Sequence, residues 1–210
     1  MNPINQNIPA EWESYVTQTG IGLEVVPHML YDTQNYVSTT TTDLPFFQSI
    51  PASANISNVK TPGLLPAPQS FLIQNISIGF KALPQTADAG AAAPTTFVGL
   101  ANDMAQLLNQ GIFRMIIGEK NYGPWPIHRL PMSTGLKLTM ATQAGAEAAN
   151  ITQMYGLTDG PLWPLFPNLL IAPLQNFSVN LQWPGGALTL SATPLAIQVL
   201  FDGQLSRAIQ

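Results

Sequence analysis

The sequence predicts an all-β protein, an antiparallel two-sheet sandwich of jelly-roll type with one short inserted helix at about residues 97–110. Three observations carry that expectation. Nineteen Pro and sixteen Gly punctuate the 210 residues every few positions, which leaves no room for long helices because Pro cannot donate the amide hydrogen bond a helix interior needs. Between those breaks lie short runs rich in Val, Ile, Thr and aromatic residues, whose side chains suit a pleated surface. A single helical periodicity, Phe97, Leu100, Ala101, Met104, Leu107 and Leu108, stands apart from them.

Taken in chain order, residues 1–19 are polar and read as an extended N-terminal segment. They lack the basic start and apolar run of a secretory signal. Residues 36–47, with Val37, Ser38 and four successive Thr, read as a strand. Residues 51–68, broken by Pro62, Pro66 and Pro68, read as an extended connection. Residues 70–80 alternate most clearly: Leu72, Ile76, Ile78 and Phe80 fall on one face, and Phe71, Ile73, Asn75 and Ser77 on the other. Residues 87–94 are a low-complexity loop of small side chains. The helix has Thr95 or Thr96 as a cap and Gly111 as a stop.

Further strands are expected at 112–118, 135–142, 177–183, 187–192 and 195–201, with Pro184-Gly185-Gly186 turning 177–183 into 187–192 as a hairpin. Residues 204–210 read as a short C-terminal tail. Seven or eight strands, one helix and long Pro-rich connections fit a single jelly-roll domain spanning 1–210. A chain of this length buries roughly 70% of its unfolded surface, so the fold requires neither disulfide nor metal.

Charge is the most informative part of the composition. Asp, Glu, Lys and Arg make up 9% of the chain, against about 25% in an ordinary soluble domain. Polarity comes instead from 14 Asn and 16 Gln. Burying an unpaired ion costs several kcal/mol, whereas an amide can satisfy itself by hydrogen bonding, and interface cores are depleted in charge for that reason. A surface so poor in ions suits a subunit surrounded by copies of itself. The seven basic residues, Lys60, Lys81, Arg114, Lys120, Arg129, Lys137 and Arg207, are scattered, and the net charge is −4. No basic arm or patch is present to replace counterions on phosphates, so direct nucleic-acid binding is not expected.

The chemistry of catalysis finds few footholds. The chain has no Cys, which removes thiolate nucleophiles, zinc-thiolate sites and disulfides together. His28 and His128 sit in no metal-binding spacing, and no nucleophile elbow, P-loop or dinucleotide-binding glycine pattern occurs; Gly20-Ile21-Gly22 is an isolated fragment. Six Asp and five Glu are dispersed and nominate no acid/base pair. Asp159 and Asp202, each followed by Gly, read as turn residues. No cofactor, metal or catalytic residue is assigned, and the protein is read as a non-enzyme. No apolar stretch reaches the roughly 20 residues of a spanning helix; the most hydrophobic, 161–174, is interrupted by Pro164, Pro167 and Pro173.

The aromatic residues offer the remaining candidates. Tyr122 and Trp125 in Tyr122-Gly123-Pro124-Trp125-Pro126, and Trp163 in Leu162-Trp163-Pro164, are either ligand-stacking or interface aromatics, or plugs at the ends of a sandwich. The first use gives a second functional reading, a carbohydrate-binding or adhesin-like module.

Three passages carry a resemblance: residues 61–71, a Pro-rich connection feeding an alternating strand; residues 114–131, a strand followed by a Lys-Asn-Tyr-Gly-Pro turn and an aromatic loop; and residues 199–210, a last apolar strand running into Gly203 and Arg207. In layout they resemble the small single-jelly-roll major capsid proteins of tailless icosahedral double-stranded-DNA phages whose shells enclose a lipid membrane. The resemblance implies a coat subunit in the virion, assembled in the host cytoplasm into capsomers with itself and other capsid proteins, with contact to an internal membrane and no catalytic residues.

Overall fold

In the computed structural model, residues 23–50, 56–82, 103–130, 136–140, 153–157, 163–190 and 195–208 are described. They form β1 (Leu23–Tyr36), β2 (Asp43–Phe46), β3 (Ser70–Ala82), β4 (Ile112–Ile117), β5 (Lys120–Pro126), β6 (Leu136–Met140), β7 (Gln153–Leu157), β8 (Trp163–Ile171), β9 (Phe177–Gln182) and β10 (Leu195–Ala208). Residues 103–110 are helical, the described part of the helix expected at 97–110.

Pairing is nested: β1 with β10, β2 with β9, β3 with β8 and β4 with β5, all antiparallel. The first half of the chain thus folds back on the second about the two-residue turn Gly118-Glu119, where Gly118 takes a left-handed φ of +60° at no steric cost. Two further pairings, β10 with β3 and β9 with β4, roll this ribbon into sheets of order β1-β10-β3-β8 and β2-β9-β4-β5. That winding is a jelly roll. The small β6-β7 ladder is inserted between β5 and β8.

The inner faces close on one core. β9 shows the logic: Phe177, Val179 and Leu181 are buried, while Ser178, Asn180 and Gln182 between them point outward. Phe113 and Met115 of β4 meet Phe71, Ile73, Ile76 and Ile78 of β3 and Ile197, Val199 and Phe201 of β10 in the same cluster. The helical segment is anchored by Trp183, whose Nε1 donates to the Leu107 carbonyl at 3.1 Å and whose ring meets Tyr36 edge-on at 4.8 Å. Among the described residues no helix is long and apolar enough to cross a membrane.

Phe47 is one of three described non-Gly residues at positive φ, with Thr39 and Leu174, and the one of the three that is buried. Its φ of +62° lies in the left-handed region, which costs a bulky residue about 1–2 kcal/mol. Two contacts hold it there: its ring packs between Phe177 and Phe201 at 5.4 and 5.2 Å, and its N–H donates to the buried Asp32 carboxylate. Asp32 also accepts from Thr33 N and Gln34 Nε2, so one carboxylate fastens β1 to the exit of β2.

Proline marks the borders. The edge strands of the two four-stranded sheets all carry it, Pro27 in β1, Pro45 in β2, Pro124 and Pro126 in β5, Pro164 and Pro167 in β8, whereas their interior strands β3, β4, β9 and β10 have none. A residue without an N–H is tolerated only where no neighbour awaits it, and there it blocks further strand addition.

Several expectations are corrected. β1 was unforeseen, because Pro27, Asp32 and Asn35 obscure its alternation; the strand expected at 36–47 is a turn leading into the short β2. Residues 120–126, expected as turn and aromatic loop, form edge strand β5. The hairpin expected after Pro184-Gly185-Gly186 is absent: residues 187–190 are not strand but run along 36–41, with Leu188 N donating to Tyr36 OH and Leu190 N to Ser38 Oγ. Gln204 to Arg207 belong to β10 rather than a tail, and Asp202-Gly203 lies inside that strand rather than at a turn. Residues 1–22, 87–94, 97–102 and Asp159 lie outside the described residues.

The two faces expected for 70–80 are also corrected. An extra residue, Gln74, bulges from β3 between the pairs Ile73↔Gly203 and Asn75↔Asp202, so the alternation reverses and Phe71 and Ile73 join Ile76 and Ile78 in the core. The bulge presses on β10 where only Gly fits, since a Cβ on Gly203 would lie 1.9 Å from the Leu72 carbonyl oxygen. Gly203→Ala should therefore destabilise the protein by about 3 kcal/mol, read by thermal or urea denaturation. Asp32→Ala, which leaves the buried Phe47 N–H without an acceptor, should cost about 2–3 kcal/mol in the same assay; an unchanged midpoint would remove Asp32 from the account of β1 docking.

Candidate functional site

The two sheets have outer faces of opposite character. On β1-β10-β3-β8 the outward residues Ala196, Gln198 and Leu200 of β10 and Ser70, Leu72 and Ser77 of β3 are buried. On β2-β9-β4-β5 the outward residues Asp43, Pro45, Arg114, Ile116 and Asn121 are exposed, and Ser178, Asn180 and Gln182 are half-buried. Strand alternation explains the placement, because each of these stands between core residues of its own strand.

This second face is indented by two adjoining depressions. One, of about 440 Å³, is lined by Asp43, Pro45, Arg114, Asn121, Asn180 and Gln182 together with Ile116 and Ser178; the other, of about 310 Å³, shares Ile116 and Ser178 and continues to Gln48, Pro62 and Asn176. Register places Asn180 between Pro45 of β2 and Arg114 of β4. Its Nδ2 donates to Asp43 Oδ2 at 2.9 Å, while its Oδ1 is covered and has no hydrogen-bond partner. Arg114 makes no ion pair; among the described residues the ion pair is Arg207 with Glu24, an exposed contact at 3.0 Å worth at most about 1 kcal/mol.

Chemically the face offers amides, one acid, one base and an exposed Ile. Such a set recognises another polar surface by hydrogen bonding and shape. Among the described residues no three His, Asp or Glu side chains cluster as metal ligands.

The three aromatic candidates lie elsewhere. Trp125 is half-buried and stacks on Phe113 at 5.6 Å with the rings 3° from parallel, and Tyr122, opposite Met115, also packs against the core. Trp163 begins β8 with its backbone paired to Ile76; its side chain is outside the described residues. β5 and β8 are edges of different sheets, so these positions do not share one face. Sequence reasoning passed over Asp43, Arg114 and Asn180. The available signal was a polar residue at alternate positions of otherwise apolar strands, as in Phe113-Arg114-Met115 and Val179-Asn180-Leu181.

His28 and Asp202 occupy β1 and β10. The His28 ring meets Phe71 edge-on at 6.3 Å; partial burial, and then the nearby Arg207 charge, lower its pKa below the usual 6.5. Burial raises the Asp202 carboxyl above its usual range. His128 lies exposed in the 3-10 turn Ile127–Arg129.

Comparison with models of known protein families and with curated proteins finds no match to this chain.

The His28 shift has a definite sign. The unfolded chain takes up a proton near pH 6.5 and the folded chain only lower, so the stability this residue contributes is full above that pH and declines as the pH falls through the folded pKa. Urea midpoints measured from pH 7.5 to 5 should fall less steeply for His28→Gln than for the wild type; parallel curves would assign the acid sensitivity to other groups.

Proposed function

We propose that this protein is a structural coat subunit that assembles with copies of itself into a closed shell, the major or a major constituent of a virion. The observation that carries the reading is a jelly roll whose one open sheet face is dressed in amides rather than ions. A lone protein keeps itself soluble with charge; a subunit that will be covered gains from leaving charge off, because each ion removed from water without a partner is costly. A contact face of this kind needs no catalytic geometry, and the protein is read as a non-enzyme without cofactor.

The same arithmetic bears on what lies inside the shell. With seven scattered basic residues and a net charge of −4, this chain does not neutralise a genome, so a membrane or separate core proteins would line the interior. The carbohydrate-binding alternative draws less support. Trp125 stacks inward on Phe113, the larger depression is lined by no aromatic residue, and Phe177, which lines the smaller, is itself buried.

Light scattering coupled to size exclusion, with electron microscopy of the assembled fractions, tests the reading. The expected outcome is concentration-dependent growth to regular particles. A chain that stays monomeric at high concentration and binds glycans would replace it with the carbohydrate-binding module, and a lipid-free shell in direct contact with nucleic acid would refute the proposed lining.

A further inference from the structure

We infer that the outer face of β2-β9-β4-β5 is where two copies of this chain meet, packed face to face about a two-fold axis that runs along the strands between β9 and β4. The inference rests on the proposal that the protein self-associates, and adds which surface does so and in which orientation.

Elimination narrows the choice. Addition of a strand from another copy is opposed at the four edges of the two large sheets, each of which carries Pro, leaving only the five-residue strands of the small β6-β7 ladder without one. On the other sheet the outward side chains of the central strands β10 and β3 are buried or half-buried, and exposure falls at the margins, as at Pro27, Met29 and Asn35 of β1. The remaining sheet face is open, carries Ile116 at 42% exposure, and presents Arg114 without an ion pair.

Charge selects the occupant and its orientation. The face holds one acid, Asp43, and one base, Arg114, two strands apart, so it is neutral and can complement itself. A two-fold contact must satisfy the same patch twice. With the axis along the strands, β4 lies over the partner's β9, and each Arg114 comes over the partner's Asn180 beside the Asp43 that this amide already holds at 2.9 Å. With the axis across the strands at the level of Arg114, Arg114 would face Arg114, a like-charge contact that opposes binding. The favoured arrangement also sets Ile116 over the partner's Ser178 and Ile112 over the partner's Gln182.

Area sets the strength. Four strands spaced about 4.8 Å and six residues rising about 3.3 Å each give a sheet face of about 400 Å². That is half of the roughly 800 Å² per partner in a standard stable interface. The adjoining depression at Gln48, Pro62 and Asn176 enlarges it, and the pair is expected to be weak alone and reinforced by neighbours in a lattice.

Sedimentation velocity of the full chain over a concentration series tests this with Arg114→Asp, Asp43→Arg and the double charge swap, each checked by circular dichroism melting. Each single variant should weaken association at least tenfold, and the swap should recover most of it. Because the chain has no Cys, a mixture of Ile116→Cys chains with Ser178→Cys chains gives an independent readout, expected as mixed disulfide dimers under mild oxidation. Wild-type association unaltered in all three charge variants, with no mixed disulfide, would overturn this face while leaving self-assembly standing. A wild-type chain that is monomeric throughout would overturn the assembly proposal and this inference together.

Discussion

The structure depends on β10 being hydrogen-bonded along both of its sides. Fourteen residues long, it runs between β1 and β3, and without it β1 is severed from the β3-β8 pair. Every backbone amide and carbonyl in a buried strand must find a partner, and β10 supplies partners to two neighbours at once. That demand explains its sequence. Leu195, Ile197, Val199 and Phe201 face the core, while Ala196, Gln198 and Leu200 are buried on the reverse side, so the first half of the strand is buried on both faces. It also explains Gly203, where the Gln74 bulge in β3 brings backbone against backbone and no side chain can intervene. The bulge in turn realigns Phe71 and Ile73 with the core, so one unpaired residue decides which side chains of β3 face inward.

A second theme is how sparingly ionic groups are used. Asp32 is buried but works as a hydrogen-bond hub for three donors rather than as half of an ion pair. Polar work elsewhere falls to uncharged groups: Asn58 bridges the Tyr31 amide and the Met29 carbonyl, and Gln198 Nε2 donates to Thr33 Oγ1 across the β1-β10 ladder. The open face follows the same rule. Amides recognise partners through direction and shape rather than long-range attraction, which suits contacts made many times over between identical subunits.

Much of the architecture was legible in the sequence, and the gaps have physical causes. The interior strands β3, β4, β9 and β10 were each anticipated, β3 without its bulge and β10 only as far as Phe201, because burial on at least one face leaves an alternating trace. Of the strands that escaped notice, β1, β5 and β8 are edges of the two large sheets: one side of their backbone pairs with nothing, so they tolerate Pro27, Pro124 and Pro164, which read locally as breaks, while β7 is a five-residue strand whose apolar run is interrupted by Gly156. The distribution of Pro was therefore informative in the opposite sense from its usual use, marking the margins of sheets rather than the ends of strands. The hairpin expected at Pro184-Gly185-Gly186 failed because a tight turn signals only a change of direction; here the chain leaves β9 for the opposite sheet, and Trp183 and Tyr36 fix its path. The candidate surface was invisible in outline because Asp43, Arg114 and Asn180 are far apart in the chain and become neighbours only through the nested pairing.

That nesting has a temporal meaning. Leu23 pairs with Ala208, so the first described strand waits for the last to leave the ribosome before its ladder can form, and contacts of such long sequence separation close slowly. Through most of synthesis the nascent chain holds β1 and β3 with the gap between them unfilled, the kind of unpaired backbone on which partly made chains aggregate. Synthesis of β10 and closure of the first sheet therefore coincide, and a product that lacks this strand cannot join β1 to β3.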